Sequence, residues 1–580
     1  MHATGRGLFH FLAIGLLAAG TVTAIAFPPA PPNDPDYEPV GPCPAAGFDC
    51  ATPTGQWNLL SYSANFPPVP HASGISADLA WSVTTGRPDT VVMILDSGVN
   101  YDHPDLRNKI WLNRGELPEP NGASCSAPVG DPHDCNADGV FNIEDYAGDS
   151  RITDTILPGT FSRSDLRVFE NGIDDDANGF LDDISGWDAD DDDGDEFDHR
   201  DFGHGTGRNG FIGAQTDNGT GIAGICPECP LTNVRVDDTF VHKTEGATKG
   251  VVWAADHGHS IINMALGATG ASSATRAAFD YATRKNVLSI SASANEFSFH
   301  HNFQTEFDDV MAIGAVVPDN EMLVTTYLRK ANFSNYGAKL DVVAPSDSPT
   351  TSQGGGYGDS SGTSSAVPHA SGVAALVFSR ARELIEVGTL DATGLALQDI
   401  SAQEVRQVID RTADDVVVAD DPAGPYNAHV AEGWDRITGY GRINARSAVD
   451  LVAPGTIPPE ADINSPDWFT YVDGTADVDF YANARWTDSF DFVLEVGQGV
   501  QPAAWTELVA ASGQMSDPTL SSASFTSNFN AQWDTSTLAP GAYTLRLRVT
   551  DDLGNQGEDR MQVWVRRPDT DAHPGWPQSL

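Results

Sequence analysis

Between about Gln56 and Ala453 the chain alternates short apolar runs with longer segments of helical spacing. Val91-Val92-Met93-Ile94-Leu95 has no polar interruption, the pattern of a strand covered on both faces. The spacing predicts a helix over Thr244–His257, a strand over Ser260–Met264, a helix over Ser273–Lys285 and a strand over Val287–Ala292. Val310–Ala315 and Leu340–Ala344 repeat the apolar run. Ser364 to about Glu386 reads as a long, mostly apolar helix, and Ser401 with Glu404 makes a capping box that opens another. Alternation of this kind specifies an α/β unit with a mainly parallel sheet flanked by helices.

The pattern changes after Pro454–Pro459, which reads as a linker. Tyr543, Leu545, Leu547 and Val549 alternate with Thr544, Arg546 and Arg548, and the Asp551–Asn555 turn leads to Met561, Val563 and Val565. That is a hairpin with one buried face. Residues 460–567 are therefore expected to form an all-β sandwich of immunoglobulin or fibronectin type, followed by a tail, 568–580. The region's Trp468, Trp486, Trp505, Trp533 and Trp564 fit a sandwich core better than a binding face. At the other end, Arg6 precedes an apolar stretch from Leu8 to Ala26, and Ala24-Ile25-Ala26 fits a cleavage site. Residues 1–26 are expected to be a signal peptide that is removed, leaving no stable membrane span. Residues 27–54, rich in Pro and Gly, read as an N-terminal arm.

Composition narrows the partners. Of 580 residues, 40% are hydrophobic and the net charge is −49, which excludes a protein held to nucleic acid by phosphate contacts. Of the 81 acids, 62 are aspartate, an excess that suits turns and hard-cation loops. The six cysteines fall in three local pairs, Cys43/Cys50, Cys125/Cys135 and Cys226/Cys229. Behind a signal peptide an even count favours disulfides, although Cys226-Pro-Glu-Cys229 also has the spacing of half a zinc site or a redox pair. A secreted monomer is expected.

Three segments carry chemistry. Asp96, in Leu95-Asp96-Ser97-Gly98, stands at the carboxyl end of a buried strand, where open α/β sheets place their sites. His204 lies in Gly203-His204-Gly205-Thr206. Ser364, in Gly362-Thr363-Ser364-Ser365, opens the long apolar helix, whose free N–H groups and dipole favour a developing oxyanion. A serine hydroxyl needs an imidazole to take its proton and a carboxylate to orient that imidazole. Asn295, just after a predicted strand, is placed to donate to a tetrahedral intermediate.

Read together, "LDSGVNYDHPDL", "GHGT", "INMALG", "ASAN", "GTSSAVPHASGVAAL" and "GYGRINA" resemble the subtilisin-like serine peptidases, over roughly Gln56 to Ala453. The resemblance implies a subtilisin-like catalytic domain over 55–454 that cleaves proteins or peptides. By it Asp96, His204 and Ser364 match the catalytic triad and Asn295 the oxyanion donor. Ala265-Leu266-Gly267 and Ala292-Ser293-Ala294 match the two backbone segments that line the substrate cleft. There are departures. Gly207-Arg208-Asn209 stands where the family commonly has His-Val-Ala, Ala294 where it has Gly, and Ser365 where it has Met. His103 and His369 also lie in family motifs and are read as structural, Lys330 as a surface residue. Only about fifty residues separate Ala26 from the first family-like segment, so no folded inhibitory propeptide is expected.

An insertion from about 113 to 198 holds two loops of DxDxDG type. Asp134, Asn136 and Asp138 take positions 1, 3 and 5 of the first, with Gly139 at 6 and Asp145 at 12. Asp174, Asp176 and Asn178 repeat the spacing, followed by Gly179 and by Asp182 and Asp183, with Asp182 taken as the further ligand. Alternate oxygens in a tight loop converge on one centre, which suits Ca2+. The whole points to a secreted, calcium-stabilised serine endopeptidase. The competing reading is a calcium-binding surface or adhesion protein built on a non-catalytic subtilase scaffold.

Overall fold

The structure, a computed structural model, describes residues 27–37 apart from 29, 55–61, 74–122, 125, 131–153, 155, 161–198, 202–239, 241–268, 270, 272–299, 302–318, 328–416, 433–468, 470–515 and 528–566. The signal segment 1–26, Cys43, Cys50 and the tail 568–580 lie outside the described residues.

Seven strands form the main sheet: β1 (Val92–Asp96), β2 (Gly186–Asp188), β3 (Leu231–Arg235), β4 (Ile261–Met264), β5 (Leu288–Ala292), β6 (Val310–Pro318) and β7 (Val342–Pro345). They run in the order β7-β6-β5-β4-β1-β3-β2, all parallel, with Leu328–Lys330 added antiparallel to β6. Among the described residues six helices longer than one turn accompany them: α1 (His204–Gly213), α2 (Thr244–Asp256), α3 (Ser273–Arg284), α4 (Thr363–Glu386), α5 (Ala402–Thr412) and α6 (Ala445–Leu451). β1 shows why the apolar run has no polar interruption. Val92 and Ile94 join the core under α1 and α4, while Met93 and Leu95 join the opposite core under α2 and α3. The strand is covered on both faces, as α/β crossovers require. The capping box at Ser401 and Glu404 is present and opens α5. No periodicity marks β2, three residues inside the insertion.

The C-terminal region is all β. β8 (Glu460–Ser465), β10 (Thr475–Asn483) and β13 (Phe529–Asp534) make one sheet. β9 (Tyr471–Val472), β11 (Ser489–Gln498), β12 (Thr506–Met515), β14 (Gly541–Asp551) and β15 (Gln556–Val565) make the other, in the order β9-β15-β14-β11-β12. The two share a core of Phe480, Phe492, Leu545, Leu547 and Val563, with Trp468 and Trp533 buried in it. Trp505 is half-buried under the guanidinium of Arg546, 4.0 Å from its ring centre, and Trp486 leans on the core of the parallel-sheet unit.

The β region is docked, not merely tethered. Ile457, inside the stretch read as a linker, is buried in the parallel-sheet core. α5 supplies most of the contact: Gln407 exchanges two hydrogen bonds with the main chain of Glu558, and Ser401 donates to Glu460. Arg485 and Glu404 pair at 2.7 Å with both side chains fully buried. Removing one partner of such a pair leaves a buried charge uncompensated, a loss of about 3–5 kcal/mol. Arg485→Ala should lower stability in chemical denaturation by that amount, whereas an exposed pair such as Arg446–Asp450 should contribute under about 1 kcal/mol.

Candidate active site

Asp96 closes β1 at the centre of the sheet, at the point where successive strands pass from one side to the other. Its Oδ1 lies 2.7 Å from His204 Nδ1 and also accepts the Ser97 N–H at 2.8 Å. A carboxylate cannot donate, so Nδ1 carries the proton and the tautomer leaves Nε2 as the basic nitrogen. Asp96 is wholly buried, and its Oδ2 has no hydrogen-bond partner among the described residues. His204 is the first residue of α1, with Phe202 stacked on it at 5.8 Å.

The second half of the site forms at the start of α4. Gly362 precedes the helix with φ +105°, a conformation open to glycine. A Cβ on Gly362 would sit 3.1 Å from Ser364 Oγ and 3.5 and 3.6 Å from the Asn295 Nδ2 and Oδ1, so hydroxyl and amide lie on either side of this glycine. Asn295 Oδ1 accepts from both the N–H and the hydroxyl of Thr363, at 2.8 and 3.0 Å. Those two bonds fix which end of the amide is oxygen and leave Nδ2 as the free donor. Ser364 itself is nearly buried, at 8% exposure.

The two expected cleft segments differ in how they are held. Leu266 packs into the core under α2 and α3, so Ala265-Leu266-Gly267 presents backbone. Asn302 pins it, donating to Leu266 O at 2.5 Å and accepting from Ala268 N at 3.2 Å. On the other side Ala292 and Ser293 are buried at the end of β5. Ala294 turns the chain with φ +84°, and its carbonyl accepts from Asn335 N at 3.0 Å.

A family model described as the subtilase family matches residues 87–441. The chain belongs to the subtilase family. It is 33% identical over 374 residues to the thermophilic serine proteinase of Bacillus sp. (strain AK1), an alignment covering 64% of each chain. Alkaline elastase YaB of Bacillus sp. (strain YaB) is 38% identical over 177 residues, 30% of this chain and 44% of its own. Thermitase of Thermoactinomyces vulgaris is 31% identical over 272 residues, 46% of this chain and 81% of its own. The chain thus spans less than two thirds of the first two relatives' length.

The departures from the usual subtilase pattern fit one another. Arg208 is buried inside α1 and donates through Nη2 to Ser360 Oγ, while Ser365 Oγ donates to the same oxygen at 3.0 Å. A polar residue replacing Val on α1 and one replacing Met on α4 are joined through the Ser360 hydroxyl. Burial holds the Arg208 guanidinium low, at about 10, against the nearby Asp96 charge. Asn209 bonds Gly205 O and Asn233, so this helix is secured by tertiary contacts where propensity is poor. His103 and His369 are structural. His369 Nδ1 donates to Ser365 O and Nε2 accepts from Asn58, and burial lowers the ring to about 4, keeping it neutral. Lys330 is not a surface residue: it is buried against Phe297 and Tyr336, with its ammonium on Ser334 O.

The acidic loops are drawn together only in part as expected. Asp134, Asn136 and Asp138 accept backbone N–H groups of their own turn. Asp145 has both oxygens engaged by Cys135, Asn136 and Asn142 amides, and the Cys125–Cys135 disulfide lies beside it. Asp182, at φ +56°, turns its carboxylate to the amides of Asn171 and Gly172, away from the second loop. Three residues outside the proposed ligand set stand there instead. Glu116 groups with Asp174 and Asp176, and Asp183 groups with Asp176 and His257, each set having ligand atoms within 4.8 Å of one another. Glu116 is buried, its Oε2 has no partner, and burial raises it to about 7. Asn178 donates to Asp176 and Asp183. Cys226 and Cys229 are bonded to each other, which removes them as zinc ligands. Outside the insertion, Asp105 Oδ1 accepts from the Asn218 side-chain amide at 2.8 Å.

One more residue escaped the motifs. Asp198, buried near Asp96 and bonded by Thr206 Oγ1, is raised to about 7, first by burial and then by the Asp96 charge. Because its folded value lies above its unfolded one, its ionisation removes stability as pH rises from about 4 to 7. Asp198→Asn should therefore match the parent below pH 4 and exceed it above pH 7, by at most about 4 kcal/mol, in denaturation curves across that range. Ala294 holds a left-handed backbone that glycine adopts freely. Ala294→Gly should raise stability by about 0.5–1 kcal/mol, read as a higher unfolding midpoint.

Proposed function

We propose that the chain is a secreted, calcium-stabilised serine endopeptidase. The observation that carries this is the 2.7 Å Asp96–His204 bond, which sets the imidazole tautomer needed for a base, in a chain whose Ser364 opens α4 beside the Asn295 amide. Ser364 Oγ attacks the peptide carbonyl and His204 Nε2 takes its proton. The tetrahedral oxyanion is met by Asn295 Nδ2 and the Ser364 N–H at the positive end of α4. His204 then protonates the leaving amine, and water releases the acyl-enzyme by the same steps. Asp96 holds the ring in place and stabilises the imidazolium. Substrate backbone lies between the 265–267 and 292–294 segments.

The second acidic loop fits a calcium ion: Glu116 offers a buried oxygen with no partner toward Asp174 and Asp176, an all-oxygen set. Bound there, the ion neutralises clustered carboxylates and braces the insertion, and it takes no part in bond cleavage. Secretion is consistent with the disulfides Cys125–Cys135 and Cys226–Cys229.

Hydrolysis of unfolded casein separates this reading from the non-catalytic scaffold. Ser364→Ala should abolish it without changing the fold. Asn295→Ala should lower kcat by about 10²–10³, the magnitude measured for the corresponding donor in subtilisin itself. No cleavage by a folded, calcium-loaded protein would favour the adhesion reading. Glu116→Gln should weaken calcium binding about tenfold and remove most of the rise in unfolding temperature that calcium gives, seen in thermal scans with calcium and with chelator.

A further inference from the structure

A cluster of carboxylates outside the insertion lies where the β region meets the parallel-sheet unit. Asp308 and Asp309 form the turn that leads into β6, and Asp462 is on β8. One oxygen from each lies within 4.8 Å of the others, and the three residues are 4%, 3% and 1% exposed. Among the described residues no N–H or hydroxyl donates to either oxygen of Asp309 or to Asp462 Oδ1, and the Asp280 carboxylate lies within hydrogen-bond reach of Asp309. A buried carboxylate left this way is among the most costly arrangements in a protein interior.

Of the cations nearby, Arg276 and Arg406 are shared with other carboxylates, and Lys339 acts on Asp308 and Asp462 through its charge alone. Arg276 reaches Asp308 at 3.3 Å and Asp467 at 2.9 Å. Arg406 pairs with Asp341 at 2.7 Å and gives Asp308 only a bond to its main-chain oxygen. Lys339 is buried, and its Nζ makes no hydrogen bond among the described residues. Among the same residues the side-chain donor on Asp462 is the neutral amide of Gln403, at 3.2 Å. Asp280 adds negative charge beside Asp309, and Asp559 adds it beside Asp462. The cluster is thus short of positive charge at its centre.

We propose that Asp308, Asp309 and Asp462 hold a hard divalent cation, calcium by ligand chemistry, that ties the C-terminal β region to the subtilase unit. Oxygens bound to one calcium ion lie no more than about 5 Å apart, and those of this set lie within 4.8 Å of one another. The absence of nitrogen or sulfur from the three selects calcium or magnesium over zinc. The ion supplies two positive charges where three buried carboxylates converge from both units. This site is separate from the insertion loops and does not depend on the peptidase reading.

The test uses the full chain carrying Ser364→Ala, so that no self-cleavage intrudes. Protein stripped with chelator is titrated with calcium, and bound ions are counted by equilibrium dialysis. Asp309→Asn and Asp462→Asn should each bind one ion fewer per chain, and calcium should protect the β region from an added protease less than in the parent. Unchanged stoichiometry in the folded variants overturns the proposal. Lys339→Gln keeps all three carboxylates and decides the matter if the asparagine variants do not fold. Removing that positive charge should tighten one calcium site by at least about tenfold. If instead Lys339 is the counter-ion of the cluster, Lys339→Gln loses stability equally with and without calcium and tightens no site, which also overturns the proposal.

Discussion

The architecture of the site rests on a single close approach between the start of α1 and the end of β1. A Cβ on Gly205 would lie 2.1 Å from Gly98 O and 3.1 Å from Asp96 Cβ. Gly98 in turn has φ +99°, and a Cβ there would meet Glu196 O at 2.6 Å. Only backbone fits between the helix and the strand, and this brings the His204 ring within hydrogen-bond reach of a fully buried carboxylate. The remaining elements serve that contact. The two cores clamp β1 from both faces, α4 packs on the same side as α1, and Thr350 and Thr351 hold the carbonyls of Gly207 and Thr206 from below.

Much of this was legible in the sequence, because the features that place the site are periodic or local. Continuous apolar runs mark strands buried on both faces, and the observed helices begin and end within a few residues of the spacing that predicts them. Ser401 and Glu404 announce α5 by side-chain chemistry confined to one turn. Glycine-flanked Asp, His and Ser stand out for the same reason: the glycines are sterically required. What was not legible depends on long-range closure. Glu116 meets Asp174 across the insertion without any motif of its own. Asp182 and Asp183 are adjacent identical residues, and the left-handed backbone at Asp182 alone decides which faces the loop. Lys330 looks solvated in sequence and is buried because a short strand folds it against Phe297 and Tyr336.

Residues that depart from the family pattern show how a buried polar group is accommodated. Arg208 in place of an aliphatic residue would be untenable alone, and Ser360 and Ser365 give it an acceptor across the α1–α4 interface. The arrangement remains incomplete, since Nε and Nη1 of Arg208 have no hydrogen-bond partner among the described residues. A buried positive charge is thereby kept close to Asp96, opposing in sign the one that Asp198 adds on ionising. The electrostatics around the Asp96–His204 pair are therefore set from two sides by residues outside the triad motifs.

The docking of the β region through α5 has a consequence for cooperativity. α5 belongs to the subtilase unit by sequence, yet Ser401, Gln403, Glu404 and Gln407 spend their polar groups on strands of the other unit. Ile457, just before β8, is part of the larger core. The composition break near residue 454 divides two kinds of secondary structure without dividing the folding free energy. The two regions share buried charge, so neither can unfold without leaving the other with uncompensated ions, and heat should carry them through one joint calorimetric transition.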